Sequence, residues 1–209
     1  MRVIPKLTDF AVNYQEVDMS YAFKIIKAGD SQAWVALGSA GKSNFARHMT
    51  RPDAVQYHLQ NLAVREGRDV HHLMILMNPH QLIQLQDSAL QICGPSWPGY
   101  EMLLNRLHLG LSDLIARGVL SESEEKTVEQ ADKYVISRYE AIRESDPLKA
   151  QTAIRQLEAA VRWIMEGSGM PFRLVFIFDE FETWEAKLPP VFWQSMRGLR
   201  DDYKQRLMY

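Results

Sequence analysis

The sequence predicts an α/β fold, with a mostly parallel sheet, flanking helices and a helical insertion. Three observations predict it. A short apolar run, Ala33-Trp34-Val35-Ala36-Leu37, leads into a glycine turn and then a helical pattern over residues 44–49. A stronger run, Arg173-Leu174-Val175-Phe176-Ile177-Phe178, ends in two acids, Asp179 and Glu180. Between them, residues 81–168 place apolar side chains at helical spacing.

The chain of 209 residues has a net charge of -2 and is 46% hydrophobic. That suits one domain over residues 1–209, with 1–20 as an entry segment. Near-neutral charge gives no global electrostatic case for nucleic acid or an anionic membrane. The single cysteine, Cys93, cannot form an intrachain disulfide, and the cytoplasm is the expected compartment. The N-terminal residues lack the apolar core of a signal peptide. No apolar run reaches the roughly 18 residues of a membrane span.

The elements follow in order. Tyr21, Phe23, Ile25 and Ile26 mark a helix that stops at Gly29, a C-cap glycine. The run at residues 33–37 reads as a buried strand, and Phe45 and Met49 share one face of the helix after it. Residues 53–59 are the best candidate for a hidden strand. Leu73-Met74-Ile75-Leu76-Met77 is a strand ended by Asn78-Pro79. Within 81–168, residues 94–99 form a loop. Tyr100, Leu103, Leu104, Leu107 and Leu111 then repeat as a helix. Ser121 and Glu124 predict a capped start for a helix carrying Val128, Ala131, Val135 and Tyr139. Asp146-Pro147 is a break. Ala153, Leu157, Ala160, Val161 and Ile164 mark another helix, stopped at Gly167-Ser168-Gly169. Pro189-Pro190 introduces a last amphipathic helix with Phe192, Trp193, Met196 and Leu199. Leu207-Met208-Tyr209 opens a further apolar run, which suggests a natural protein that continues beyond it.

The turn after the first run carries chemistry. Residues 36–43 match G-x-x-x-x-G-K-[ST], except that Ala36 replaces the first glycine. Gly38 and Gly41 allow successive backbone N–H groups to turn inward into an anion-binding nest, with Ser39, Ala40 and Asn44 lining it. Lys42 would reach the β- and γ-phosphates, and Ser43 would ligand Mg²⁺ through its hydroxyl. The helix behind them aims its positive end at the phosphates. An ordinary strand-to-helix turn with an exposed lysine is the plainer alternative.

The acids at the second run complement that loop. A carboxylate at the C-terminal edge of a parallel sheet sits where such folds bind ligands. Asp179 would hold Mg²⁺, and Glu180 would orient and deprotonate the attacking water. Adjacent strand residues point to opposite faces, so both acids can serve one site only if the strand ends there. The plainer reading is that they solubilise a strand end.

With these residues stated, the sequence resembles the additional-strand, catalytic-glutamate P-loop ATPases, a division that includes the AAA+ and STAND ATPases. Gly38-Ser39-Ala40-Gly41-Lys42-Ser43 is similar to a Walker A loop and Phe176-Ile177-Phe178-Asp179-Glu180 to a Walker B strand. The stretch from Leu188 to Asp201 resembles the helix after Walker B in bacterial STAND-like ATPases. Leu207-Met208-Tyr209 resembles the start of the strand that carries a sensor residue. The resemblance covers about residues 20–80 and 170–209, and 81–168 match no motif. It implies a three-layer P-loop core, cut before the sensor strand is complete, and ATP as ligand or substrate. It also implies Mg²⁺ dependence and nucleotide-controlled assembly with copies of itself or a protein partner. No guanine-reading Asn-Lys-x-Asp motif is present. The alternative is a nucleotide-binding regulatory or scaffold module with little turnover, acting through a protein or nucleic-acid partner.

Other residues have plainer readings. Arg197 and Arg200 could serve as an arginine finger, but a solvated basic face explains them. Asn78 before Pro79 suits a turn. His71, His72 and His80 lack acids or cysteines at metal-ligand spacing. Trp97 and Tyr100 suit packing under a loop better than a partner-binding lip. Lys24, Lys27, Arg47, Arg51, Arg65 and Arg68 make the N-terminal third basic, without the aromatic interleaving of a nucleic-acid site.

Overall fold

A computed structural model describes residues 10–35, 41–59, 70–144 and 152–209. Helix α1 (Glu16–Ala28) carries Glu16 and Asp18 at its positive end and closes on Gly29, whose N–H donates to Ile25 and Ile26 carbonyls. Helices α2 (Lys42–Met49) and α3 (Pro52–Leu59) follow. Strand β1 (His71–Met77) ends in a 3₁₀ turn at Pro79–Gln81. Four helices come next: α4 (Asp87–Cys93), α5 (Trp97–Ala116), α6 (Glu122–Arg143) and α7 (Ala153–Arg162). The last passes into a π turn at Trp163–Gly167. Strand β2 (Phe172–Phe178), helices α8 (Phe181–Lys187) and α9 (Pro190–Asp202), and strand β3 (Leu207–Met208) complete the chain.

The fold is mixed α/β and mostly helical, around a small parallel sheet of order β1-β2-β3. β1 and β2 pair in parallel from His71↔Phe172 to Met77↔Phe178. β3 pairs with β2 through Leu174↔Leu207 and Val175↔Met208. The acidic strand is therefore central among the described strands.

Strand alternation sorts the side chains onto two faces. Leu73, Ile75, Met77, Leu174, Phe176 and Leu207 pack into one cluster with α5, α6 and α7. Val175 and Met208, flanked by Met74 and Ile177, pack into another with α1, α2 and α3. On the first face the predicted leucine repeat is realised. Leu103, Leu104, Leu107 and Leu111 of α5 are fully buried. Burial stabilises by about 2 kcal/mol per leucine, which anchors the layer. Ser121 forms the expected capping box with Glu124. Buried Glu101 pairs with Arg143, and His108 and Ser112 meet Asp132, so polar links join α5 to α6. Gly99 is pressed against α9. A Cβ there would lie 2.5 Å from the Phe192 ring.

Several expectations are corrected. Residues 53–59 are not a hidden strand. They belong to α3, with Pro52 at its first turn and Ala54, His58 and Leu59 buried at helical spacing. The expected buried strand at 33–37 does not form over its described part. Ala33, Trp34 and Val35 are unpaired and exposed, Val35 at 94%. The nearest ladder, β3, engages β2 over two residue pairs, and the next N–H, at Tyr209, donates to the Ser31 hydroxyl at 3.1 Å. Ala36 and Leu37 lie outside the described residues. The loop expected at 94–99 is shorter, because Trp97, Pro98 and Gly99 already belong to α5. Trp97 and Tyr100 are buried there, and the Trp97 indole N–H donates to the Ile142 carbonyl at 3.2 Å. Helix α8, directly after the acids, was not expected. The break at Asp146-Pro147 lies outside the described residues. Among the described residues no helix is long and apolar enough to cross a membrane.

Candidate functional site

The described part of the glycine turn begins at Gly41, which is the N-cap of α2 with φ 80° and ψ 19°. That left-handed conformation strains any residue with a Cβ, so the glycine is needed where the chain turns into the helix. Gly41 has no side chain to cap the first turn, and the Phe45 N–H is the one that returns to its carbonyl, at 2.9 Å. Lys42 is exposed, and Ser43 and Asn44 are half-buried. Gly38, Ser39 and Ala40 lie outside the described residues. Phe45 and Met49 anchor α2 against Val175 and Met208.

The acids stand at the C-terminal end of β2. The Asp179 N–H donates to the Met77 carbonyl at 3.1 Å, carrying the β1–β2 ladder to this position. Val175 and Ile177 face α1, α2 and α3, so alternation puts Asp179 in the same row. Helix α2, which opens with Lys42, packs on that same face through Phe45 and Met49. No hydrogen bond or ion pair joins Lys42 or Ser43 to Asp179 or Glu180 among the described residues.

Glu180 leaves the strand. Its φ of 53° and ψ of 55° make a left-handed N-cap for α8, an uncommon conformation for a residue with a side chain. Strand β2 ends at Phe178, and the chain bends through both acids. The Glu180 N–H donates to Asp179 Oδ1 at 3.0 Å, and the Trp184 indole N–H donates to the Asp179 carbonyl at 2.9 Å. The indole and the local backbone fix the bend from below.

The sequence reading missed one partner. His80 Nε2 meets Glu180 Oε2 at 3.0 Å across 100 positions of sequence. The Thr183 hydroxyl donates weakly to the same oxygen, at 3.5 Å. The His80–Glu180 pair is exposed, 64% and 45%, so it orients the carboxylate more than it stabilises the fold. His80 is held by the turn it sits in, where Asn78 Oδ1 accepts its N–H at 2.9 Å. Asn78 thus has the turn role expected of it. Lys187 donates to the Pro79 carbonyl at 2.9 Å and ties α8 to the same turn. The sequence signal for this contact is that polar residues follow directly on both β1 and β2.

The other weighed residues lie elsewhere. His71 pairs with Glu124 of α6 at 3.1 Å. His72 donates through Nδ1 to the Val70 carbonyl, and burial together with the Arg173 charge pushes its pKa down to about 4. Arg200 pairs with Asp201 at 2.9 Å and lies over the Tyr209 ring, while Arg197 reaches Asp201 at 4.0 Å.

Ser43 and Asp179 are the residues that would hold a hard cation, if they meet. Ser43 offers a hydroxyl, and Asp179 Oδ2 is left over after Oδ1 accepts the Glu180 N–H. Mg²⁺ is bound through one or two protein oxygens plus water and phosphate, not by a cage of side chains. No group of three His, Cys, Asp or Glu ligands occurs among the described residues. No protein-family model, curated protein or solved structure matches this chain.

Proposed function

We propose that this chain is an ATP-binding, Mg²⁺-dependent ATPase module of AAA+/STAND type, working as a switch or motor. One observation carries the reading. The helix that opens with Gly41-Lys42-Ser43 packs on the sheet face to which Asp179, at the end of the central strand, belongs.

In this reading Lys42 and the backbone N–H groups of residues 38–44 grip the phosphates. Ser43 and Asp179 would hold Mg²⁺, which supplies charge neutralisation on the β- and γ-phosphates. Glu180, turned out of the strand, takes the proton of the attacking water. His80 steers that carboxylate.

Phosphate release by wild type, Glu180→Gln and Lys42→Ala tests the reading. Glu180→Gln should slow turnover by roughly 10²-fold or more while ATP still raises the melting temperature. Lys42→Ala should abolish that rise. Equal release by wild type and Glu180→Gln would remove Glu180 as the base.

A second reading, a nucleotide-binding module with little turnover that acts through a partner, draws on the hydrogen bond that already engages Glu180. It expects ATP to raise the melting temperature with negligible release, before and after His80→Ala.

A further inference from the structure

We infer that Tyr21 and Trp34, backed by the buried ring of Phe45, form the platform on which the nucleobase stacks. The inference rests on the ATP-site reading above. Both flanks of the glycine turn meet in this platform. Trp34 comes shortly before residues 36–43 and Phe45 shortly after, and their rings pack at 5.1 Å. Tyr21 of α1 approaches Trp34 at 6.0 Å, with the rings 76° apart. An edge contact of that kind leaves an indole face uncovered. Trp34 is 40% exposed and Tyr21 59%, beside Val35 at 94% and Val17 at 83%. Exposed apolar side chains gathered beside the glycine turn suit a binding surface.

Its position selects the occupant. Phe45 lies three residues beyond Lys42, about 4.5 Å along the helix axis. Trp34 packs on Phe45, so the exposed platform lies within about one helical turn of Lys42, and a ligand gripped at Lys42 can lay its base on it. The phosphates have a cationic and backbone site, whereas the base needs a flat apolar one. Stacking uses the π face that every base has, so the platform confers affinity with little choice among bases. ATP and GTP should gain from it alike.

Calorimetric titration with Mg-ATP, Mg-GTP and Mg-tripolyphosphate tests this on wild type, Trp34→Ala, Trp34→Phe and Tyr21→Ala. Trp34→Ala should weaken both nucleotides about tenfold or more and leave tripolyphosphate unchanged. Trp34→Phe should keep most of the affinity, and Tyr21→Ala should lose a few-fold. Tyr21 is the more exposed ring, so that variant carries the test if Trp34→Ala lowers the melting temperature. Equal losses for nucleotide and tripolyphosphate, or unchanged nucleotide binding in both alanine variants, would overturn the platform. Wild type that binds ATP no better than tripolyphosphate would overturn it too, yet leave the phosphate site standing. Wild type that binds neither would remove both readings.

Discussion

Where α5, α6 and α7 meet the sheet, Leu103, Leu107, Val128, Val135 and Leu157 are all at 0% exposure. Across the sheet, α1, α2 and α3 bury a smaller set around Met19, Phe23, Ile26 and Met49. This second face also holds His48 and His58 inside, and His72 beside them on β1. Among the described residues, His48 Nδ1, His58 Nε2 and His72 Nε2 are buried with no hydrogen-bond partner. The same face carries the open aromatic patch and the Gly41-Lys42-Ser43 turn. The first face thus buries the larger apolar set, and the second carries the candidate site.

The comparison breaks first at the leucine layer. Leu107→Ala should cost about 3 kcal/mol, read by urea unfolding, because the site is fully enclosed. A loss below about 1 kcal/mol would mean that this layer is not the main source of stability.

The opposite face should show itself through pH. Burial, helped by Arg173, holds His72 at about 4, below the ordinary value of 6.5. Native His72 therefore stays neutral while the unfolded chain takes up its proton. Stability is unaffected above about pH 6.5, falls as pH drops through the window to about 4, and levels off below. Between pH 7.5 and about pH 5 the loss should be about 2 kcal/mol. His58, also pushed down by burial, adds in the same direction. Urea midpoints for wild type and His72→Leu check it, and an unchanged pH slope in the variant would reject His72 as the source.

Smaller effects sharpen the contrast. Ser121→Ala removes the capping box of α6 and should cost about 1 kcal/mol by thermal melting. Tyr21→Ala, on the exposed patch, should change stability by no more than about 0.5 kcal/mol. A larger loss would make the patch part of the core.

Much of this was legible in the sequence because the signals are local. The leucine spacing of α5, the Ser121–Glu124 box, the Gly29 stop and the apolar run of β2 each depend on neighbours within a few residues. The acids of the candidate site were legible for the same reason, since an apolar strand that ends in carboxylates is a one-dimensional pattern. Residues 53–59 misled because a short apolar-polar mixture fits a strand or a helix until its packing partners are known. Residues 33–35 misled because an apolar run was taken for burial, while here its aromatic ring stands at the surface.

The sequence by itself determined which segments coil, which extend and where two of the strands stop, because backbone propensity and side-chain period act over one or two turns. Only the tertiary structure decided that Asp179 shares a sheet face with α2, that Glu180 turns out of the strand, and that His80 meets it across 100 positions. Those facts depend on the register of β1 against β2 and on which helices cover each face. They are properties of the assembled sheet, to which no single stretch of chain has access.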